Sequence, residues 1–306
     1  MGQSPPPTVD PSARPASLNR TAPRAQQSVR FARRPAQVGD RVEQTVSRVM
    51  RLTTSWRQGD KIVETSTRTM RGHKQRHVTT TRTDKGSSQA VLVRYGDATK
   101  RVAPGASPQA ESPQNAPPPA ETATVTNEPV ALKTYRCWRE GEKLIVTDEA
   151  GHTPPPAEVE IVAADMEAVG RPNPFADFLA GRTVAVGEKL ALPLDVAERL
   201  FGFGDRFGQL TRFDLTLREI RTEDGAACAV FQVSLEAASH DASQMRLLVD
   251  GPLVVQIGTC RAVRSHLTGP LAMSESRQSY GVAYQLISTG KISMSISSSY
   301  RDPQLR

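Results

Sequence analysis

Residues 41–56 read Arg-Val-Glu-Gln-Thr-Val-Ser-Arg-Val-Met-Arg-Leu-Thr-Thr-Ser-Trp, with Val42, Val46, Met50, Leu52 and Trp56 on even positions and mostly polar residues between them. A period of two sends successive side chains to opposite faces, so the stretch predicts a half-buried β-strand; a helix would not hold this pattern. Gln58-Gly59-Asp60 supplies turn chemistry, and 61–70 predicts a returning strand with Val63, Thr65, Thr67 and Thr69 on one face. Gly72 reads as a break, 73–83 as a ribbon polar on both faces, Gly86 as the next turn, and 89–95 as the most apolar strand of the set.

Further along, 133–138 and 143–147 predict a hairpin around Glu140-Gly141-Glu142. Val159, Val162, Met166 and Val169 then recur at helical spacing behind Pro154–Pro156. A second short helix has Asn173 as N-cap, Pro174 at its first position and Gly181 beyond its end. A third is predicted from the capping box Asp195 and Glu198. The remainder reads as a meander: 210–221 and 228–235 around Asp224-Gly225, 245–249 and 253–257 around Asp250-Gly251, then 261–267, 280–287 and 292–296, with Gly290 separating the last two.

About ten to twelve strands with three short helices in one block predict an α+β, mainly β fold: a long curved antiparallel meander, a half-barrel or open barrel, with the helices covering one face. Fourteen of the 23 prolines lie in 1–35 and 104–129, which therefore read as a disordered basic tail and a Pro-rich linker or inserted loop. The folded parts are then 36–103, a set of basic antiparallel strands, and 130–303, sharing one sheet with it. The charge divides at the same place. Residues 1–103 carry 20 Lys and Arg against 7 acids and residues 104–306 carry 19 against 25, so the overall +7 is +13 set against −6.

Residues 179–193, Leu-Ala-Gly-Arg-Thr-Val-Ala-Val-Gly-Glu-Lys-Leu-Ala-Leu-Pro, followed by the meander segments 213–235 and 251–273, resemble uncharacterised exported β-rich proteins of bacteria, often lipoproteins. Their curved sheets are similar in outline to the half-barrels of periplasmic lipoprotein carriers. The resemblance implies a periplasmic, extracellular or cell-envelope location, although neither a signal sequence nor a lipobox cysteine stands in the chain as given.

Several groups of residues are candidates for chemistry. Arg68, Arg71, Lys74, Arg76 and Arg82 crowd one ribbon without a carboxylate between 65 and 82, which suits a polyanion such as nucleic acid, anionic lipid or glycan and repels a metal ion at His73 and His77. Only Trp56 and Tyr95 are aromatic in 36–103, a poor supply for stacking bases. Phe175, Phe178, Phe201, Phe203 and Phe207 form either core or the lining of an apolar-ligand pocket between sheet and helices. Cys228 and Cys260 lie in one meander and are candidates for a disulfide in an oxidising compartment; three separately buried thiols are the alternative.

Catalytic signatures fail on context. Gly202-Phe-Gly-Asp-Arg-Phe-Gly208 has the wrong spacing for a dinucleotide fingerprint, and Ser288-Thr-Gly-Lys291 lies at an expected turn instead of a helix start. The expectation is a non-enzymatic exported protein with a structural or binding role and no cofactor, metal or transmembrane helix. Polyanion binding through the basic third and carriage of an apolar ligand are the alternatives.

Overall fold

A computed structural model describes residues 27–105, 123–201, 209–239, 244–279 and 282–303. A short β1 (Ser28–Arg30) precedes three long strands, β2 (Arg41–Gln58), β3 (Lys61–Asp84) and β4 (Ser87–Gly105). Then come β5 (Thr124–Asn127) and the hairpin β6 (Thr134–Glu140) and β7 (Lys143–Asp148). A helical block follows, with α1 (Pro156–Asp165), α2 (Pro174–Leu179), β8 (Thr183–Ala185), β9 (Lys189–Ala191) and α3 (Leu194–Phe201). Five long strands complete the chain: β10 (Gln209–Glu223), β11 (Ala226–Ala238), β12 (Gln244–Gln256), β13 (Ala262–Ser279) and β14 (Val282–Arg301).

Among the described residues, twelve strands form one antiparallel sheet in the order β7-β6-β4-β3-β2-β14-β13-β12-β11-β10-β9, with β5 added to β4. Each half of the chain is a meander, and β2 pairs with β14 from Arg41↔Arg301 to Arg57↔Gln285, so the first and last long strands join the halves. The sheet does not close: β7 and β9 are its edges, and the architecture is the expected open half-barrel. The helical block leads from one edge to the other across the inner face.

Among the described residues, a small cluster of Cys228, Val230 and Val254 lies on the outer face, and two apolar cores form on the inner one. One gathers Phe213, Leu215, Phe231, Val233, Leu235 and their neighbours beneath α2 and α3. The other packs Val91, Val93, Tyr95 and Tyr135 against Val162 of α1 and the following Met166. Burying a large apolar side chain contributes roughly 1.5–3 kcal/mol, so each core is ample to hold its helices. Asn173 caps α2 as expected, its Oδ1 accepting from the Phe175 and Ala176 amides at 3.1 Å. Asp195, expected at the start of α3, instead lies within its first turn.

Three expected interruptions are strand interior. Gly72, Gly251 and Gly290 lie within β3, β12 and β14, so the hairpin expected at Asp250-Gly251 is one continuous strand. At Gly251 and Gly290 the reason is close approach: a Cβ on Gly251 would stand 1.9 Å from the His266 carbonyl oxygen, and one on Gly290 1.9 Å from that of Arg51, whereas Gly72 has nothing within 4 Å. Glycine here lets a neighbouring backbone come close in a strongly bent sheet, a role that composition alone does not distinguish from a turn.

The tail boundary also moves. Residues 27–35, expected to be disordered, belong to the fold: β1 pairs with β8, and Phe31 is 1% exposed and stacks on Phe231 with ring centroids 5.9 Å apart. Thr124–Asn127, expected within the linker, pairs with β4. Residues 1–26 and 106–122 lie outside the described residues. Among those described, no helix is long and apolar enough to cross a membrane.

Candidate functional site: the inner trough

Strand register decides where each candidate side chain points. The even positions of β2 and β3 share a face, and Lys74 and Arg76 on that face meet Asp165 at the end of α1, at 2.9 and 3.2 Å. Lys74 also meets Glu128 at 3.1 Å. The five cations expected to act together are therefore split. Lys74 and Arg76 point inward and are neutralised, and Arg68 is inward and exposed. Arg71 faces outward, and Arg82 is exposed near the strand end.

The inner face between the two cores carries a mixed apolar and basic surface. Three successive rows cross it: Leu267–Met294–Arg48–Gly72–Lys100, Gly269–Ile292–Met50–Met70–Val102 and Leu271–Gly290–Leu52–Arg68–Pro104. Buried aliphatics of the larger core stand at one end of these rows. Half-buried Met294, Met50, Leu52 and Met70 occupy the middle strands, with exposed Arg48 and Arg68 beside them on β2 and β3 and exposed Lys100 at the far end on β4. Met70 and Val102 belong to neither core, nor does Ile296 one row away. A Cβ on Gly72 would find nothing within 4 Å, so open space lies between Arg48 and Lys100.

Methionine is concentrated here. Of the seven in the chain, Met50, Met70, Met245, Met273 and Met294 lie on the inner face of the sheet by register. Unbranched thioethers are deformable and suit surfaces that accept varied apolar shapes.

Electrostatics separates this trough from the adjoining cleft at the start of β2. That cleft, about 400 Å³, lies between the sheet and the α1–α2 connection and is lined by Val42, Val78, Phe175 and Tyr300 with Arg34, Arg76 and Arg261. Its guanidinium groups are matched: Arg34 and Arg261 each reach Asp40 at 3.1 Å and Asp302 at 2.7 and 3.0 Å. In the trough, by contrast, Arg48, Arg68 and Lys100 have no side-chain ion pair among the described residues.

Two tyrosines fix α1 at the trough's other flank. The Tyr95 hydroxyl donates to Asp165 at 3.0 Å and that of Tyr135 to Glu158 at 2.6 Å. Burial, then the neighbouring carboxylate, pushes both phenols far above the ordinary tyrosine range. Lys133, 2.6 Å away, and Tyr135 hold the Glu158 carboxyl below its usual value.

Of the phenylalanines, Phe175 is buried in the larger core and also lines the cleft wall, and Phe178 packs against that core beneath the Arg182 guanidinium at 4.2 Å. The Phe201 side chain, Phe203 and Phe207 lie outside the described residues. The expected Cys228–Cys260 disulfide is not formed; all three cysteines are free. Cys228 packs in a separate cluster with Val230 and Val254, while Cys260 is in the larger core, its thiol donating to the Ala32 carbonyl at 3.1 Å. The even-numbered face of β11 and the inner core are opposite sides of the sheet, which keeps the sulfurs apart.

Two Ser–His contacts escaped the sequence because their members are far apart in the chain: His266 Nδ1 to Ser295 Oγ at 2.7 Å and His73 Nδ1 to Ser47 Oγ at 3.3 Å. Both are on the outer face, and neither histidine has a carboxylate partner among the described residues.

The fold and trough thus define an open, antiparallel, β-rich half-barrel with a mixed apolar and basic inner surface. No protein-family model matches the chain, and no curated protein matches its sequence. Among solved structures, lipovitellin, described for its lipid–protein interactions, is similar over 88% of this chain and 26% of its own, with 7% identity and a TM-score of 0.40. This chain therefore spans about a quarter of lipovitellin's length. The type II secretion secretin GspD of E. coli K12 is similar over 86% of this chain and 50% of its own, at 9% identity and a TM-score of 0.16. The translocator domain of the autotransporter NalP from Neisseria meningitidis covers 87% and 90%, at 11% identity and 0.15.

Proposed function

We propose that this chain is a non-enzymatic binding protein of the cell envelope that holds an anionic amphiphile, an acyl chain with an acidic head, along the inner trough. The observation that carries the reading is one inner face on which an apolar row, Ile292–Met50–Met70–Val102, is flanked by rows bearing the unpaired cations Arg48 and Lys100 on one side and Arg68 on the other. Burying a methylene is worth about 0.8 kcal/mol, so an acyl chain of about ten carbons supplies ~8 kcal/mol. That exceeds the lower estimates, about 4 kcal/mol, for the freedom lost on association. Charge-assisted hydrogen bonds from guanidinium and ammonium groups then select an acidic head over a neutral one.

The envelope setting belongs to the same proposal and rests on the resemblance of residues 179–193, 213–235 and 251–273. The non-enzymatic part is supported by the outward, carboxylate-free setting of His73 and His266. Native mass spectrometry of protein purified without detergent tests the reading. The expected result is an added mass that organic extraction releases as an acidic acyl lipid, reduced in Met50→Gln/Met70→Gln. Protein that runs at its bare mass and takes up no added decanoate overturns it.

A further inference from the structure

The outer face of the same strands carries an arrangement that the fold does not use. Arg51 stands directly across from Lys291, and Arg71 directly across from Arg101, in two adjacent rows spanning β14, β2, β3 and β4. All four are exposed, and none has an ion pair among the described residues. Like charges directly opposite in an antiparallel pair destabilise it, so these side chains cost the sheet stability. The nearest acid in those rows, Asp250, is on β12 and accepts from Gln232 at 3.4 Å. Exposed valines stand among the cations: Val49, 39% exposed, faces Arg71, and Val125, 59% exposed, faces Arg101.

We infer that this outer patch docks the protein on an anionic phospholipid surface. Clustered cations are drawn to the negative potential of such a surface, and small apolar side chains among them tolerate the headgroup boundary. A single-stranded nucleic acid fits less well, because Trp56, Tyr95, Tyr284 and Tyr300 all lie on the inner face by register, leaving the patch without a stacking platform among the described residues. The patch and the inner trough are opposite faces of the same strands, so membrane contact leaves the trough's ligand rows free.

Vesicle co-sedimentation tests this inference, using phosphatidylglycerol–phosphatidylcholine vesicles against phosphatidylcholine alone. The protein is expected to pellet with the anionic vesicles only, and to be released when salt is raised from 0.1 M to 1 M, which shortens the Debye length from about 10 Å to about 3 Å. Replacing Arg51, Arg71, Arg101 and Lys291 by Gln should weaken vesicle binding at least about tenfold. The same variant should keep or raise the melting temperature, since opposed like charges are removed, and should bind dansylamino-undecanoate in solution as the parent does. An equal-charge control, Arg212→Gln/Arg218→Gln/Arg221→Gln/Arg246→Gln, should bind vesicles within about twofold of the parent. The inference is overturned by no vesicle binding, by equal losses in the two variants, or by retention on duplex DNA without vesicle binding. None of those results touches the trough, which the dansyl probe reads separately.

Discussion

The Tyr135 hydroxyl donates to the buried Glu158 carboxylate at 2.6 Å, and this contact ties helix α1 to strand β6. Lys133 Nζ lies 2.6 Å from the other oxygen, so the charged form of Glu158 is held from two sides. Since α1 flanks the trough and its last residue, Asp165, neutralises Lys74 and Arg76, the seat of α1 also decides which cations remain free on the inner face.

Stability should therefore respond to acid through Glu158. Its folded value lies below the unfolded value of about 4.3, so its contribution is complete above that pH and is lost as pH falls through the folded value. Glu158→Gln should lower stability at pH 7 by roughly 1–3 kcal/mol, with the gap to the parent closing toward about pH 3. Urea denaturation at several pH values measures it; a gap independent of pH contradicts the assignment.

Phe31 should behave as a core residue despite its place in a proline- and arginine-rich stretch. Phe31→Ala should cost about 3–5 kcal/mol in urea denaturation, the usual range for a buried phenylalanine. A loss below about 1 kcal/mol contradicts its place against Phe231.

Mid-strand glycines should divide sharply. A Cβ on Gly269 would stand 1.8 Å from the Leu248 carbonyl oxygen, so Gly269→Ala should destabilise by on the order of 4 kcal/mol or leave no folded protein. Gly72, with nothing within 4 Å, should accept alanine with little change in melting temperature. Equal effects at the two positions contradict the strand register.

These glycines also mark the limit of reading the chain as a sequence. Alternation in 41–56 and 210–235 announces strands because each has one wet face and one dry face. Asp224-Gly225 is a true turn, with φ of 48° and 78°. Asp250-Gly251 carries the same letters yet sits mid-strand, because what decides it is the backbone of β13 arriving from another part of the chain. The ribbon 73–83 looked polar on both faces for a similar reason: Lys74 and Arg76 point inward and meet an acid about 90 residues away. Part of the trough was visible as the even positions Met50 and Leu52, but its basic side was not, since Lys100 joins Arg48 only across the third strand.

The three thiols should be silent in the native state. Burial pushes Cys137 up to about 12 and Cys260 up to about 11, and raises Cys228 as well. Thiolate is the nucleophile, so iodoacetamide at pH 8 should leave all three unmodified until denaturant is added. The intact mass should be the same with and without reductant. A 2 Da increase on reduction contradicts the free-cysteine state.

The trough itself is tested most directly by displacing dansylamino-undecanoate from the purified protein with decanoate and with decanol. Saturable probe binding is expected, with displacement by decanoate at lower concentration than by decanol, and with loss of that preference in Arg48→Gln/Arg68→Gln/Lys100→Gln while decanol competes as before. Failure of the probe to bind, or an unchanged preference in the triple variant, would contradict the proposed function.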